Sequence, residues 1–134
     1  MLVPQTFDGE RFADRLIGEC KEAVSADIVV AWVRASGIGL LRDALVGIPA
    51  RGGRVRIVVG LDHDNTSEEG LQALLDLGDR VDVWVRHNEG RGIFHPKLYS
   101  FVTDAECRVY VGSNNLTGAG LHDNEEVSGL LVQE

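Results

Sequence analysis

Segments with the apolar spacing of a helix alternate along this chain with segments that have the apolar spacing of a strand. Apolar side chains three to four positions apart, the spacing of one helix face, occur in three segments: 8–25, 37–46 and 66–77. Continuous or alternating apolar residues, the pattern of strands, lie between them at 27–33, 54–59 and 81–85. Thr66 and Glu69 form a capping-box pattern that predicts the start of the third helix. Strands that alternate with helices in this way predict parallel pairing, with helices on the faces of the sheet.

The pattern changes after residue 90. Three further segments have strand patterns, 93–102, 108–111 and 125–132, and no long helix separates the first two. Residues 103–106 predict a hairpin turn, and residues 116–121 predict a short helix. The predicted fold class is therefore α/β, with a mixed, largely parallel β-sheet flanked by helices. We expect a single domain over residues 1–134, either complete or a fragment of a longer chain.

Composition is that of a globular domain without a membrane partner. Hydrophobic residues make up 44% and charged residues 25% of the 134 positions, which is enough apolar material for one core. The longest apolar run, 28–33, is far too short to span a bilayer, and the N-terminus lacks the features of a secretory signal. Cys20 and Cys107 have no metal-binding spacing, and we expect both to be reduced. These features predict a cytoplasmic protein.

Charge limits how this chain could bind nucleic acid. Thirteen basic and 21 acidic side chains give a formal net charge of −8, and binding to nucleic acid depends on Lys and Arg that neutralise phosphates. Basic residues are concentrated in the segment 86–97, which holds Arg86, His87, Arg91, His95 and Lys97 against one acid, Glu89. Any such binding is therefore predicted to use this local patch, a partner subunit or another domain.

His95 and Lys97 are the first candidates for chemistry. On the predicted strand their side chains lie on one face, about 7 Å apart, and Phe94, Pro96 and Leu98 lie on the other face, which we expect to be the core side. A buried ammonium group beside an imidazole is costly unless an acid, a cavity or an anion compensates it. The pair suits a phosphate, because Lys97 can neutralise its oxygens while His95 attacks phosphorus.

Two polar segments follow this pair. Residues 112–117, Gly-Ser-Asn-Asn-Leu-Thr, form a glycine-led turn at the predicted helix start, where backbone N–H groups and small polar side chains favour an anion. Asn114 is assigned to turn geometry rather than to ligand contact. A carboxylate at Glu126 could accept the second N–H of an imidazole, and alternation places Glu125 on the opposite, solvent side.

The remaining polar and aromatic features receive structural interpretations. Gly37 and Gly39 lack the third glycine of a dinucleotide-binding loop, and the loop 62–65 lacks the glycine and glutamate of a calcium site. We therefore predict no metal and no cofactor. Trp32 and Trp84 lie in predicted strands and are expected in the core.

Three motifs together resemble those of the phospholipase D superfamily. They are His-x-Lys at 95–97, Gly-Ser-x-Asn at 112–115 and Asn-x-Glu at 124–126. The combination is similar to the nuclease-like branch of that superfamily, which includes metal-independent restriction endonucleases and domains attached to helicases. The resemblance covers residues 94–131 and implies a phospholipase D-like fold.

The resemblance also implies roles for five residues. His95 would become a transient phosphohistidine, and Lys97 would bind the phosphate. Ser113 and Asn115 would line the phosphate pocket, and Glu126 would support a histidine. All five are therefore candidate site residues, three catalytic (His95, Lys97 and Glu126) and three phosphate-binding (Lys97, Ser113 and Asn115).

Two departures from the family pattern shape the expectations. The family places an aspartate five residues after the lysine, where this chain has Val102, so we expect the supporting carboxylate to be Glu126. The family's sites resemble a two-fold arrangement of two His-x-Lys motifs, and this chain has one. That difference predicts either a homodimer with a shared active site or a second domain that this sequence does not include.

The predicted function is a metal-independent phosphodiesterase, a nuclease that cleaves DNA through a phosphohistidine. One alternative is a catalytically weak module that binds nucleic acid or phosphate for a helicase or restriction system, which Val102 and the net charge of −8 favour. A fused helicase or DNA-recognition domain would fit either interpretation. A second alternative is a phospholipid phosphodiesterase, against which the lack of an amphipathic or strongly basic membrane-facing stretch argues.

Overall fold

The computed structural model describes residues 1–90 and 92–134, which contain a seven-stranded sheet and three α-helices. The strands are β1 (Leu2–Gln5), β2 (Ser25–Val30), β3 (Arg54–Gly60), β4 (Val81–Arg86), β5 (Lys97–Val102), β6 (Cys107–Gly112) and β7 (Glu126–Gln133). The helices are α1 (Phe12–Cys20), α2 (Ala35–Ala50) and α3 (Glu68–Leu75), with a 3₁₀ turn at Asp62–Asp64 and a π-helical turn at Ala119–Asp123. The strand order is β1-β7-β6-β5-β2-β3-β4.

The sheet is mixed, as predicted, but its parallel part is smaller than the sequence indicates. Only β2–β3 and β3–β4 are parallel among the six pairings of described strands, and antiparallel pairing predominates. Strands β5 and β6 are joined by a short turn, residues 103–106, which allows only antiparallel neighbours, whereas parallel neighbours need long crossovers such as α2 and α3. The expectation of a largely parallel sheet is corrected accordingly, and the mixed α/β class with flanking helices is confirmed.

The core lies between the helices and one face of the sheet. Alternate residues of the central strands are buried there, among them Ile28, Val30, Val55, Ile57, Val59, Tyr99 and Phe101, against Phe12, Leu16, Ile38, Leu41 and Ile48 of the helices. Each large apolar side chain buried in this way contributes about 1.5–3 kcal/mol. On the opposite face Val29, Val58 and Leu98 are only partly buried, and Trp84 is 49% exposed. The expectation that Trp84 lies in the core is wrong, because β4 is an edge strand and places this side chain on the open face.

Two helix boundaries differ from the sequence pattern. Helix α2 was predicted to end near residue 46 but continues through Pro49, which is buried in its last turn. Helix α3 is capped by Ser67, whose hydroxyl accepts a 3.0 Å hydrogen bond from the Gly70 N–H, and not by the predicted Thr66. None of the helices described is long and apolar enough to cross a membrane.

Strand β1 was not predicted. It is four residues long, contains Pro4 and pairs antiparallel with β7 at the edge of the sheet. Its inward residues Val3 and Gln5 are buried. Proline is tolerated at such an edge, because one side of the strand needs no ladder partner.

Candidate active site

The predicted site residues meet at one edge of the sheet. Lys97 is the first residue of β5 and Glu126 the first residue of β7, while Ser113 and Asn115 follow the end of β6. Strand β2 runs antiparallel to β5, so its carboxyl end lies at the same edge. His95 precedes β5 by two residues, in a segment without regular structure, whereas the sequence pattern placed it on a strand.

His95 and Lys97 contact each other at this edge. Lys97 Nζ lies 3.0 Å from His95 Nδ1, and it donates a 3.2 Å hydrogen bond to the His95 carbonyl. Lys97 lies on the same face of β5 as the buried Tyr99, and Leu98 lies on the open face. The predicted face assignment is therefore wrong. Alternation shows which residues share a face but not which face the helices cover.

Trp32 forms a further wall of the site. Its ring centroid lies 5.3 Å from that of His95 at an interplanar angle of 75°, and Lys97 Nζ lies 5.8 Å from the indole centroid. The second distance is that of a cation–π contact. Trp32 was expected in the core, yet it is only partly buried and belongs to this edge. The signal that could have identified it is its position just after β2, where α/β proteins bind ligands.

Both central side chains have lowered pKa values. The pKa of His95 is lowered, first by partial desolvation, then by the Lys97 charge and by His63. Desolvation also lowers the pKa of Lys97, and Glu126 acts in the opposite direction. In the part of the chain that the structure describes, no carboxylate lies within 4 Å of Lys97 Nζ. The result is a neutral imidazole beside a partly desolvated cation, an arrangement that a bound anion would stabilise.

Glu126 is held by hydrogen bonds from neighbouring polar side chains. The Ser113 hydroxyl donates to one carboxylate oxygen, and Asn124 Nδ2 donates to the other at 3.2 Å. Ser113 Oγ also accepts a 3.1 Å hydrogen bond from the Val127 N–H, which fixes the hydroxyl between β6 and β7. Within one chain, the described contacts include no hydrogen bond from His95 to Glu126.

Asn115 and Asn114 have different roles. Asn115 Oδ1 accepts a 3.3 Å hydrogen bond from the backbone N–H of Trp32. Asn115 Nδ2 has no hydrogen-bond partner among the described residues. This amide is therefore available to a ligand. Asn114 is 1% exposed, donates from Nδ2 to the Gly120 carbonyl at 2.8 Å, and its own carbonyl accepts a 3.0 Å hydrogen bond from the Tyr99 hydroxyl. These contacts are those of a residue that shapes the turn, as predicted.

The connection from β6 to β7 differs from the predicted turn and helix. Gly112 is required by close packing, because a Cβ there would lie 2.2 Å from the Val127 carbonyl oxygen. Leu116 forms an isolated β-bridge with Val33. In this connection, all of whose residues are described, the helical part is the five-residue turn at Ala119–Asp123. So short a turn has no N-terminal anion site, and that part of the expectation is wrong.

Sequence reasoning did not assign Asp62 a role at the site. This residue follows β3 and is 7% exposed. Its carboxylate accepts hydrogen bonds from the N–H groups of Phe94 at 2.8 Å and Asn88 at 3.2 Å, and it lies 3.3 Å from His87 Nδ1. The Phe94 N–H is the largest cause of the lowered pKa of Asp62. Because Phe94 precedes His95, Asp62 fixes the backbone next to the imidazole.

The predicted basic cluster is only partly described. Arg86 ends β4 and is exposed, His87 contacts Asp62, and Arg91 lies outside the described residues. No group of three or more His, Cys, Asp or Glu side chains in residues 1–90 and 92–134 is arranged to hold a metal ion.

Val102 is remote from this edge. It is the last residue of β5 and pairs with Ser25 and Cys107, five residues from Lys97 and therefore about 17 Å along the strand. A carboxylate at position 102 could not contact His95. The departure from the family pattern therefore removes no group from the site.

Comparisons with known proteins agree with the fold. The model of a family described as "Cardiolipin synthase, PLD-like domain" matches residues 15–133. NucT from Helicobacter pylori superposes with a TM-score of 0.72 at 19% identity, over 100% of this chain and 86% of that chain. Nuc from Salmonella typhimurium, a phospholipase D family member, gives 0.67 at 21% identity over 100% and 84%. Yeast tyrosyl-DNA phosphodiesterase gives 0.61 at 16% identity over 98% and 32%, and no curated protein matches.

Proposed function

Because this chain belongs to the family of phospholipase D-like domains, whose model matches residues 15–133, we propose that it is a metal-independent phosphodiesterase that cleaves DNA with His95 as nucleophile. The observation that carries the proposal is the contact of Lys97 Nζ with His95 Nδ1 at 3.0 Å, at an edge where no described carboxylate neutralises the ammonium group. A phosphate diester supplies the missing negative charge and an electrophilic phosphorus at once. The fold shared with yeast tyrosyl-DNA phosphodiesterase, which is named for a DNA phosphodiester bond, supports the choice of substrate.

The reaction proceeds in two displacements. In the first, the neutral imidazole of His95 forms an N–P bond as the bond from phosphorus to the leaving oxygen breaks, and a second histidine gives that oxygen a proton. In the second, this histidine takes a proton from water, whose oxygen attacks phosphorus and releases His95. Lys97 and the free amide of Asn115 stabilise the charge on the non-bridging oxygens in both steps. The lowered pKa of His95 favours the neutral imidazole that attack requires, and the copy that gives the proton enters the reaction as imidazolium.

The second histidine is His95 of another copy of this chain. His95 is exposed at the edge of the sheet, and the chain has one His-x-Lys motif. A two-fold axis through this edge brings two His95 side chains to one phosphate, since a closed dimer presents the same surface from both subunits. Glu126, held by Ser113 and Asn124, then stabilises the imidazolium charge across the interface.

The alternatives have different support. The binding-module hypothesis loses one argument, because Val102 lies at the far end of β5, but the net charge of −8 still favours it. The phospholipid hypothesis gains one argument, because the matching family is described by a cardiolipin synthase. All three hypotheses place a phosphodiester or a phosphate at His95 and Lys97.

Cleavage in the presence of EDTA tests the proposal. We expect the protein to hydrolyse bis-p-nitrophenyl phosphate and single-stranded DNA with EDTA present, and His95→Ala to abolish both activities at a stability cost on the order of 1 kcal/mol. His122→Ala is the matched control, because His122 is exposed and pairs with Asp123. Recovery of activity only with Mg²⁺, or full activity of His95→Ala, would overturn the mechanism. DNA binding without cleavage would favour the binding module, and cleavage of cardiolipin vesicles alone the lipid enzyme.

A further inference from the structure

A cavity of about 340 Å³ adjoins the His95 site. Its lining residues are Trp32, Arg34, Ser36, Asn65, Thr117 and Ala119. Trp32 is a wall shared by the two spaces, because the same indole contacts His95 and Lys97. The cavity therefore lies beside the proposed position of the scissile phosphate, at the carboxyl end of β2.

Arg34 is held in place at the wall of this cavity but is not neutralised. Its Nε donates a 2.6 Å hydrogen bond to the Asn65 carbonyl, and Asn65 Nδ2 in turn donates to the His63 carbonyl at 3.0 Å. The terminal guanidinium nitrogens have no hydrogen-bond partner or carboxylate within 4 Å in the part of the chain described. A guanidinium group of fixed orientation with both terminal nitrogens free suits a phosphate, which it can bind through two hydrogen bonds.

Two hydroxyl groups that line the same cavity add donors. Ser36 Oγ accepts a 2.9 Å hydrogen bond from the Gly118 N–H, and Thr117 Oγ1 accepts one of 2.9 Å from the Gly120 N–H. Neither hydroxyl donates a hydrogen bond to another described residue, so each keeps its own hydrogen for a ligand. The cavity thus offers one cation and two hydroxyl donors to an oxygen-rich, anionic group.

We propose that this cavity binds the nucleotide next to the scissile phosphodiester, with Arg34 on the phosphate of that nucleotide and Ser36 and Thr117 on its oxygens. The inference rests on the proposed function of His95. Lys97 and Arg34 then neutralise successive phosphates on either side of Trp32, which explains how a chain of net charge −8 binds a polyanion. The volume is near the lower end of the range for small-ligand pockets, which suits one unpaired nucleotide. The substrate is therefore a single-stranded nucleic acid.

Two substrates separate this subsite from the catalytic site. Bis-p-nitrophenyl phosphate has one phosphate, and a single-stranded oligonucleotide has a neighbouring phosphate for Arg34. We expect Arg34→Ala to lower the ratio of kcat/KM for the oligonucleotide to kcat/KM for bis-p-nitrophenyl phosphate at least tenfold. Arg42→Ala removes the same charge from an exposed position of α2 outside the cavity, and it should leave the ratio within twofold. An equal effect of Arg34→Ala on both substrates, or no effect, would overturn the subsite.

A binding measurement keeps the inference testable if the proposed activity itself fails. Fluorescence anisotropy of a labelled single-stranded oligonucleotide at several salt concentrations gives the slope of log K against log[salt]. Loss of one phosphate contact should make that slope shallower by about 0.7 in Arg34→Ala. An unchanged slope would contradict the subsite, and absence of cleavage by the wild-type chain would contradict only the proposed function.

Discussion

Replacing Lys97 by Met removes the ammonium group at the start of β5 and keeps an unbranched side chain of similar length. The two consequences should have opposite signs. The charged form of Lys97 is disfavoured in the folded protein, because desolvation lowers its pKa and no described carboxylate lies within 4 Å. At the same time Lys97 is the group that stabilises charge on the phosphate in the proposed reaction. The variant should therefore be more stable and much less active.

The magnitudes follow from these two roles. Loss of one preorganised charge-stabilising donor lowers kcat by about 10²–10³, or roughly 2.7–4 kcal/mol. Removal of an unfavourable charge at a functional site stabilises by about 0.5–1 kcal/mol, which raises Tm by a few degrees in a domain of this size. Because the pKa of Lys97 is lower in the folded than in the unfolded chain, its charge destabilises the folded protein by the full amount at pH values below the folded pKa. This penalty disappears as the pH rises to the unfolded value near 10.5, so the advantage of the variant should shrink between pH 7 and pH 10.5.

Urea unfolding at pH 7 and pH 10, together with turnover of bis-p-nitrophenyl phosphate, measures both effects. Lys21→Met is the matched control, because Lys21 is exposed at the C-terminus of α1. We expect the control to change stability by no more than about 0.5 kcal/mol and to keep its activity. A Lys97→Met variant that is less stable than wild type by more than about 1 kcal/mol, or fully active, would refute the assignment of Lys97 as an uncompensated functional cation.

Two further predictions concern the groups around His95. The lowered pKa of His95 favours the neutral imidazole of the attacking copy, so the acidic limb of kcat/KM for bis-p-nitrophenyl phosphate, which reports protonation of that copy, should lie below pH 6.5. An acidic limb above 6.5 would count against His95 as the nucleophile. Asp62→Asn should lower kcat and shift the backbone amide resonances of Phe94 and Asn88, whose N–H groups donate hydrogen bonds to the Asp62 carboxylate. Asp64→Asn changes an exposed neighbour and should do neither. Equal effects of the two variants would show that Asp62 has no positioning role.

Much of the fold was accessible from sequence because it depends on local patterns. Three of the predicted helical segments and six of the strands are present, and the three polar motifs converge because each adjoins the same edge of the sheet. Strand β1 was not predicted because four residues with a proline carry no periodic signal. Its pairing with β7 joins the two ends of the chain. The share of parallel pairing was overestimated because the order of β5, β6 and β7 depends on which strands finally become neighbours.

The parts of the site that sequence reasoning missed depend on tertiary contacts. Alternation could not show which face of β5 the helices cover, so the core was assigned to the side of Leu98. Trp32 is a large aromatic residue, which is typical of a core. Its contact with His95 exists only because β5, which His95 precedes, pairs with β2. Asp62 belongs to a polar loop by sequence, and its role appears only when Phe94 is brought to its carboxylate from 32 residues away.

The covalent intermediate is the most direct test of the central claim. The protein would be mixed with a single-stranded oligonucleotide in EDTA, quenched within one turnover and digested, and the peptide that contains His95 would be analysed by mass spectrometry. We predict a phosphoryl-linked substrate fragment on the His95 side chain. It should be present both in the wild type and in the folded His122→Ala control. Turnover without any adduct on His95, or an adduct on a different residue, would contradict His95 as the nucleophile.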